Sequence, residues 1–83
     1  MEDLRKQLDE IDSEMRALFE KRLDVVYKIG QYKKSHNLAI LDQGREDEII
    51  KKGLEKVNNK NYRQYYQDFL EFLFTISKDL QAK

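Results

Sequence analysis

For some thirty residues from Leu4 the chain repeats one step pattern. Leu4, Leu8, Ile11, Met15, Leu18, Val25 and Ile29 follow one another by alternating fours and threes, and Arg22 fills the place where the next apolar residue is due. That spacing is the seam of an α-helix packed lengthwise on other helices. Nothing breaks it before Ser35-His36-Asn37, so it predicts helix 1 from about Asp3 to about Lys34. The chain has no proline and three glycines, which removes the usual interruptions. Asp42 is a good N-cap residue. It predicts a second helix with Ile49, Ile50, Leu54 and Val57 on one face, stopped by the turn-like pair Asn58-Asn59. A third helix is expected from about Asn61 to Gln81. Its stripe is Tyr62, Tyr66, Phe69, Leu73, Ile76 and Leu80, widened by Leu70, Phe72 and Phe74. The expected class is all-α: a single domain over residues 1–83 with a long, a short and a medium helix.

Helix 1 is too long for the globule that should cover it. About 32 residues at about 1.5 Å each make a rod of ~48 Å. A compact chain of 83 residues has a radius of gyration near ~12 Å. The simplest repair is a second copy whose helix 1 pairs with this one, giving an intertwined homodimer. The alternative is a monomer with a bent helix 1.

Composition narrows the function classes. Sixteen basic residues balance sixteen acidic ones, which argues against a nucleic-acid or anionic-membrane binder. There is no cysteine and one histidine, His36, in a loop, so neither a thiol site nor a histidine metal cluster is expected. The acidic start Met1-Glu2-Asp3 does not read as a secretory leader. The longest uncharged run, Ser35 to Leu41, falls far short of the ~20 apolar residues of a membrane span. The expected compartment is therefore the cytoplasm. No Gly-rich phosphate loop, Ser/His/Asp set or paired-carboxylate motif is present.

The informative residues are polar ones on faces that should be apolar. Arg22 sits in the seam between Leu18-Phe19 and Val25-Val26. Lys33, eleven residues on, lies about 20° off the same face and ~16 Å further along. An unpartnered guanidinium is costly to bury, so something anionic should meet it. Three explanations fit: an anion pocket, internal ion pairs to Asp or Glu, or Lys33 snorkelling out to water. Glu46 extends the apolar face of helix 2 and also suits the start of a helix dipole, whereas Arg45 in the same first turn opposes that dipole. Ser77 and Gln81 lie four apart on one edge of the helix 3 stripe, as site residues or as part of a frayed end. Arg5 lies ~25 Å from Arg22 along helix 1. It can share a site with Arg22 only in trans, if two copies of helix 1 pair antiparallel.

The set Arg5, Arg22, Lys33, Arg45, Glu46, Ser77 and Gln81 is rich in cations and lacks an activated nucleophile and a histidine base. It suits a small dianion and chemistry done by positioning and electrostatics. Its order and spacing resemble the all-helical, AroQ-type chorismate mutases. The resemblance is carried by Leu4-Arg5 with Ile11-Asp12, Lys21-Arg22 through Gly30-Gln31-Tyr32-Lys33, Asp42-Gln43-Gly44-Arg45-Glu46, and Ser77-Lys78-Asp79-Leu80-Gln81. It covers nearly the whole chain, although Asn58 to Arg63 matches no motif.

The resemblance implies a three-helix protomer in an intertwined homodimer and the Claisen rearrangement of chorismate to prephenate, without cofactor or metal. It further implies that Arg22, with Arg5 from the other chain, holds the substrate carboxylates, and that Lys33 and Gln81 bond the ether oxygen. Glu46 and the backbone near Asp42 would take the ring hydroxyl, with Arg45 and Ser77 supporting the carboxylate end. Because the family often occurs fused to other enzymes of the pathway, the chain is expected to be either a stand-alone enzyme or one domain of a larger one. An isochorismate-pyruvate lyase of the same fold, or a non-catalytic helical dimerisation or regulatory domain, are the alternatives.

Overall fold

The computed structural model describes residues 1–83. It contains three α-helices and no strand: α1 (Glu2–Ser35), α2 (Gln43–Lys56) and α3 (Arg63–Gln81), with a short 3-10 turn at Lys60–Tyr62 leading into α3. The all-α expectation holds. α3 begins two residues later than its apolar pattern predicts. The Asn59 side chain accepts a hydrogen bond from the Asn61 amide at 3.0 Å and tightens that entry into a 3-10 turn. None of the helices is long and apolar enough to cross a membrane.

Local chemistry accounts for the helix ends. At the end of α1 the Leu38 amide reaches back to the Lys33 carbonyl at 2.8 Å and the Asn37 amide to the Lys34 carbonyl at 3.3 Å. Asn37 adopts φ 55°. This is the Schellman arrangement, with asparagine in the left-handed position that most other residues avoid. Asp42 caps α2, its Oδ1 accepting from the Arg45 amide at 3.0 Å.

α3 packs on α1 with one side and on α2 with another, while the backbones of α1 and α2 stay apart. The core is Leu70, Leu73 and Phe74 of α3, with Ile49, Ile50 and Tyr66 packed around it. Val26 and Gly30 are the buried positions of α1. The buried line of α3 therefore runs through Leu70, Leu73 and Phe74 and continues into Ser77 and Gln81. This corrects the expected stripe: Phe69 and Phe72 remain exposed. A helix held between two others is covered along two edges, and the sequence pattern alone does not say which edges those are.

The molecule measures 51 × 25 × 15 Å, with a radius of gyration of 15.4 Å. Its longest dimension equals the rise of 34 residues at about 1.5 Å each, so α1 runs its full length without a sharp bend. Cover on α1 is confined to its later half, at Val26 and Gly30, and the stripe residues Val25 and Ile29 stay exposed there too. Leu4, Leu8, Ile11, Met15 and Leu18 are each between 51% and 64% exposed.

Candidate active site

The ends of the three helices enclose an open cavity of about 490 Å³. Arg22, Lys33, Asp42, Arg45, Glu46, Ser77 and Gln81 all line it, so seven of the eight residues expected from the sequence come together. Arg5 does not join them. It stands near the start of α1, exposed and paired with Glu2 at 3.4 Å. Val25, Val26, Ile29, Ile40, Ile49 and Phe74 supply the apolar wall.

The contacts of the two seam cations exclude one of these explanations, the internal ion pairs. Arg22 is half-buried, and its Nη1 donates to Ser77 Oγ at 2.7 Å. Lys33 is half-buried, and its Nζ donates to the Ile40 carbonyl at 2.7 Å. Neither makes an ion pair within the chain. Two cations are thus held on the cavity wall by neutral acceptors, with their charges uncompensated. Such a wall favours an anion, because a partly desolvated charge left unpaired is costly.

Ser77 and Gln81 are buried, which removes helix-end fraying as their explanation. The Gln81 amide oxygen is buried without a hydrogen-bond partner. An orphaned polar atom of this kind costs on the order of 1–3 kcal/mol. A half-turn of the amide would present its NH2 instead, so the group can offer either donor or acceptor to a ligand.

Gly30 sets where Gln81 sits. A Cβ at Gly30 would lie 2.8 Å from Gln81 Cα, 2.9 Å from its carbonyl oxygen and 3.2 Å from its Cβ. The missing side chain lets the end of α3 rest directly on α1, one helical step before Lys33. The signal in the sequence was a glycine inside a long helix, where it costs ~1 kcal/mol against alanine.

At the rim, Arg45 pairs with Glu48 at 3.3 Å. This local partner accounts for a cation in the first turn of α2. The hydrogen bond and charge of Lys52, and then the charge of Arg45, hold the exposed Glu48 carboxyl below the usual carboxylate range. Sequence reasoning passed over Lys78, whose Nζ lies 3.3 Å from Glu46 Oε2 and which lines the same cavity. Its position between Ser77 and Gln81 on the last turns of α3 was the available signal.

A family model described as chorismate mutase type II matches residues 4–82. The chain belongs to the type II chorismate mutase family. The chain is similar to a T-protein from Haemophilus influenzae, with 33% identity over 94 aligned positions. That alignment takes in 96% of this chain and 25% of the T-protein, so the chain spans about a quarter of that relative's length. A solved structure of a conserved hypothetical protein from Pyrococcus furiosus is similar as well. It has a TM-score of 0.70 and 36% identity, over 94% of this chain and 90% of that one.

Proposed function

We propose that this chain is a chorismate mutase that converts chorismate to prephenate, working as a homodimer. The observation that carries the reading is the pair Arg22 and Lys33. Both line one cavity, both are bonded only to neutral oxygens, and the unpaired Gln81 amide shares that cavity with them. The substrate is a dicarboxylate whose carbon–oxygen ether bond breaks as a carbon–carbon bond forms. No proton moves in the step, so the site needs neither base nor nucleophile.

In this reading Arg22, steadied by Ser77, takes one carboxylate, and Arg45 lies at the same end. Lys33 keeps the Ile40 carbonyl and still has donors free for the ether oxygen, where negative charge builds as the bond breaks. Gln81 supplies the second donor there. Donors aimed at charge that develops only in the transition state lower the barrier more than they tighten ground-state binding. Glu46 and the Asp42 turn accept the ring hydroxyl. Arg5 of the partner subunit completes the carboxylate end. The bare apolar stripe of α1 supports the dimer on which this contribution depends.

The test is the fall in chorismate absorbance with purified protein, and the expected product is prephenate. Release of pyruvate from isochorismate, with chorismate untouched, would instead identify a lyase. Chorismate binding without turnover would identify a regulatory domain.

A further inference from the structure

Two grooves meet at one ion pair. Glu46, Phe74 and Lys78 line the cavity described above and also a second, more polar groove of about 550 Å³ between α2 and α3. The Glu46–Lys78 contact of 3.3 Å stands on the partition between them. The Glu46 side chain is 17% exposed and that of Lys78 38%, so this is not a freely solvated surface pair.

The charges in the cavity assign roles. Arg22, Lys33, Arg45 and Lys78 face Asp42 and Glu46 there. Asp42 has its Oδ1 committed to the N-terminus of α2. Arg45 has its guanidinium committed to Glu48. Glu46 is the second carboxylate of the cavity, and without a cation partner it would add to the repulsion of a dianion bound to Arg22 and Lys33. Resting on the reading of the site as chorismate-binding, we propose that Lys78 is a positioning residue that neutralises and holds Glu46. With it, a carboxylate can accept a hydroxyl hydrogen bond inside an anion site without opposing the anion. The contact that places Lys78 on Glu46 is the 3.3 Å approach of its ammonium to the Glu46 carboxylate.

This arrangement has a kinetic signature. Lys78→Met leaves Glu46 charged and uncompensated in the ground state and the transition state alike. It is expected to raise KM for chorismate on the order of tenfold, with kcat changed by no more than about twofold. Lys78→Arg should restore KM. In a Glu46→Gln background, which has its own loss, Lys78→Met should leave KM unchanged, because no charge remains to neutralise. Lys78→Gln serves as a second neutral variant should the methionine protein fold poorly. A KM equal to the parent's in both neutral variants overturns the proposal. A KM penalty that persists undiminished in Glu46→Gln also overturns it, and would place Lys78 on the substrate. A parent that leaves chorismate untouched overturns the reading of the site and this inference together, whereas an active parent with unaffected Lys78 variants overturns this inference alone.

Discussion

The two halves of α1 share one apolar stripe and meet different surroundings. In the later half, α3 covers Val26, which is 6% exposed, and the cavity residues Arg22 and Lys33 flank it. In the first half, Leu4 through Leu18 face solvent within the protomer, and the one site candidate there, Arg5, pairs only with Glu2. The polar interruption of the stripe at Arg22 falls where the helix meets the rest of its own chain. The uninterrupted part falls where no cover exists within the protomer. An apolar seam thus states that cover is required, while its polar break at Arg22 falls where the protomer's own helices meet around a cavity. A stripe of five large side chains is the kind of surface that a monomeric protein rarely leaves bare.

The largest expected effect comes from breaking the bare half. Ile11→Glu puts a charge in the middle of the exposed stripe, far from the cavity. If the stripe pairs two copies, the parent sediments at twice the 10.0 kDa chain mass and the variant at 10.0 kDa. The variant should also lose nearly all chorismate turnover, since Arg5 of the partner subunit leaves with it. The comparison sharpens if Arg5→Ala and Arg22→Ala proteins, each nearly inactive, regain activity when refolded together. That recovery requires one chain's Arg22 to work with the other chain's Arg5. A 10.0 kDa parent with full activity would make the two halves independent and remove Arg5 from the site.

Next in size are the donors of the covered half. Losing one donor aimed at a developing oxyanion costs about 2.7–4 kcal/mol, or roughly 100–1,000-fold in turnover. Lys33→Ala and Gln81→Ala should each lose kcat on that scale while helical circular dichroism and dimer mass stay as in the parent. Gln81→Glu adds a sign. A carboxylate repels the developing charge when ionised and donates a hydrogen bond when protonated, so this variant should recover activity as pH falls while the parent changes little. A Gln81→Glu protein as active as the parent at neutral pH would take Gln81 out of the mechanism.

Much of this was legible because the signals are local. The helices end where Asn37 can turn left-handed, where Asp42 can cap and where Asn59 can tighten a turn, and each of these acts within a few residues. The cavity lining was legible because Arg22 occupies a position that periodicity reserves for an apolar side chain and Ser77 and Gln81 sit on the edge of the α3 stripe. The rotation of the buried line was not. The seam of α1 points to Val25 and Ile29, yet the buried positions are Val26 and Gly30. A strict seven-residue repeat drifts about 20° per repeat around a straight helix. The face presented to α3 therefore differs from the face that begins at Leu4. Nor does sequence spacing reveal the Lys78–Glu46 pair or the Lys33–Ile40 bond, both of which depend on how separate segments meet.

The smallest of these effects is expected at Gly30, and it tests whether the covered half holds Gln81 in place or merely covers it. Alanine inside a helix is favoured over glycine by ~1 kcal/mol. Here its Cβ would press on the Gln81 backbone at 2.8 and 2.9 Å, and backbone atoms cannot rotate away as a side-chain tip can. The end of α3 must shift, with the propensity gain offsetting part of the strain, so Gly30→Ala should keep its helical signal and change little in Tm. A displacement of about 1 Å at a catalytic group can cost up to ~100-fold. With Lys33 left in place, a loss on the order of tenfold in kcat is expected, with a smaller change in KM. The Gln81→Ala background separates the two meanings. If Gly30 acts through the Gln81 amide, removing that amide first leaves the alanine with almost nothing further to cost, and the two substitutions are strongly non-additive. An equal fractional loss in both backgrounds would mean that the contact only packs α1 against α3. Full activity in the single variant would mean that the end of α3 yields without moving Gln81 from its work.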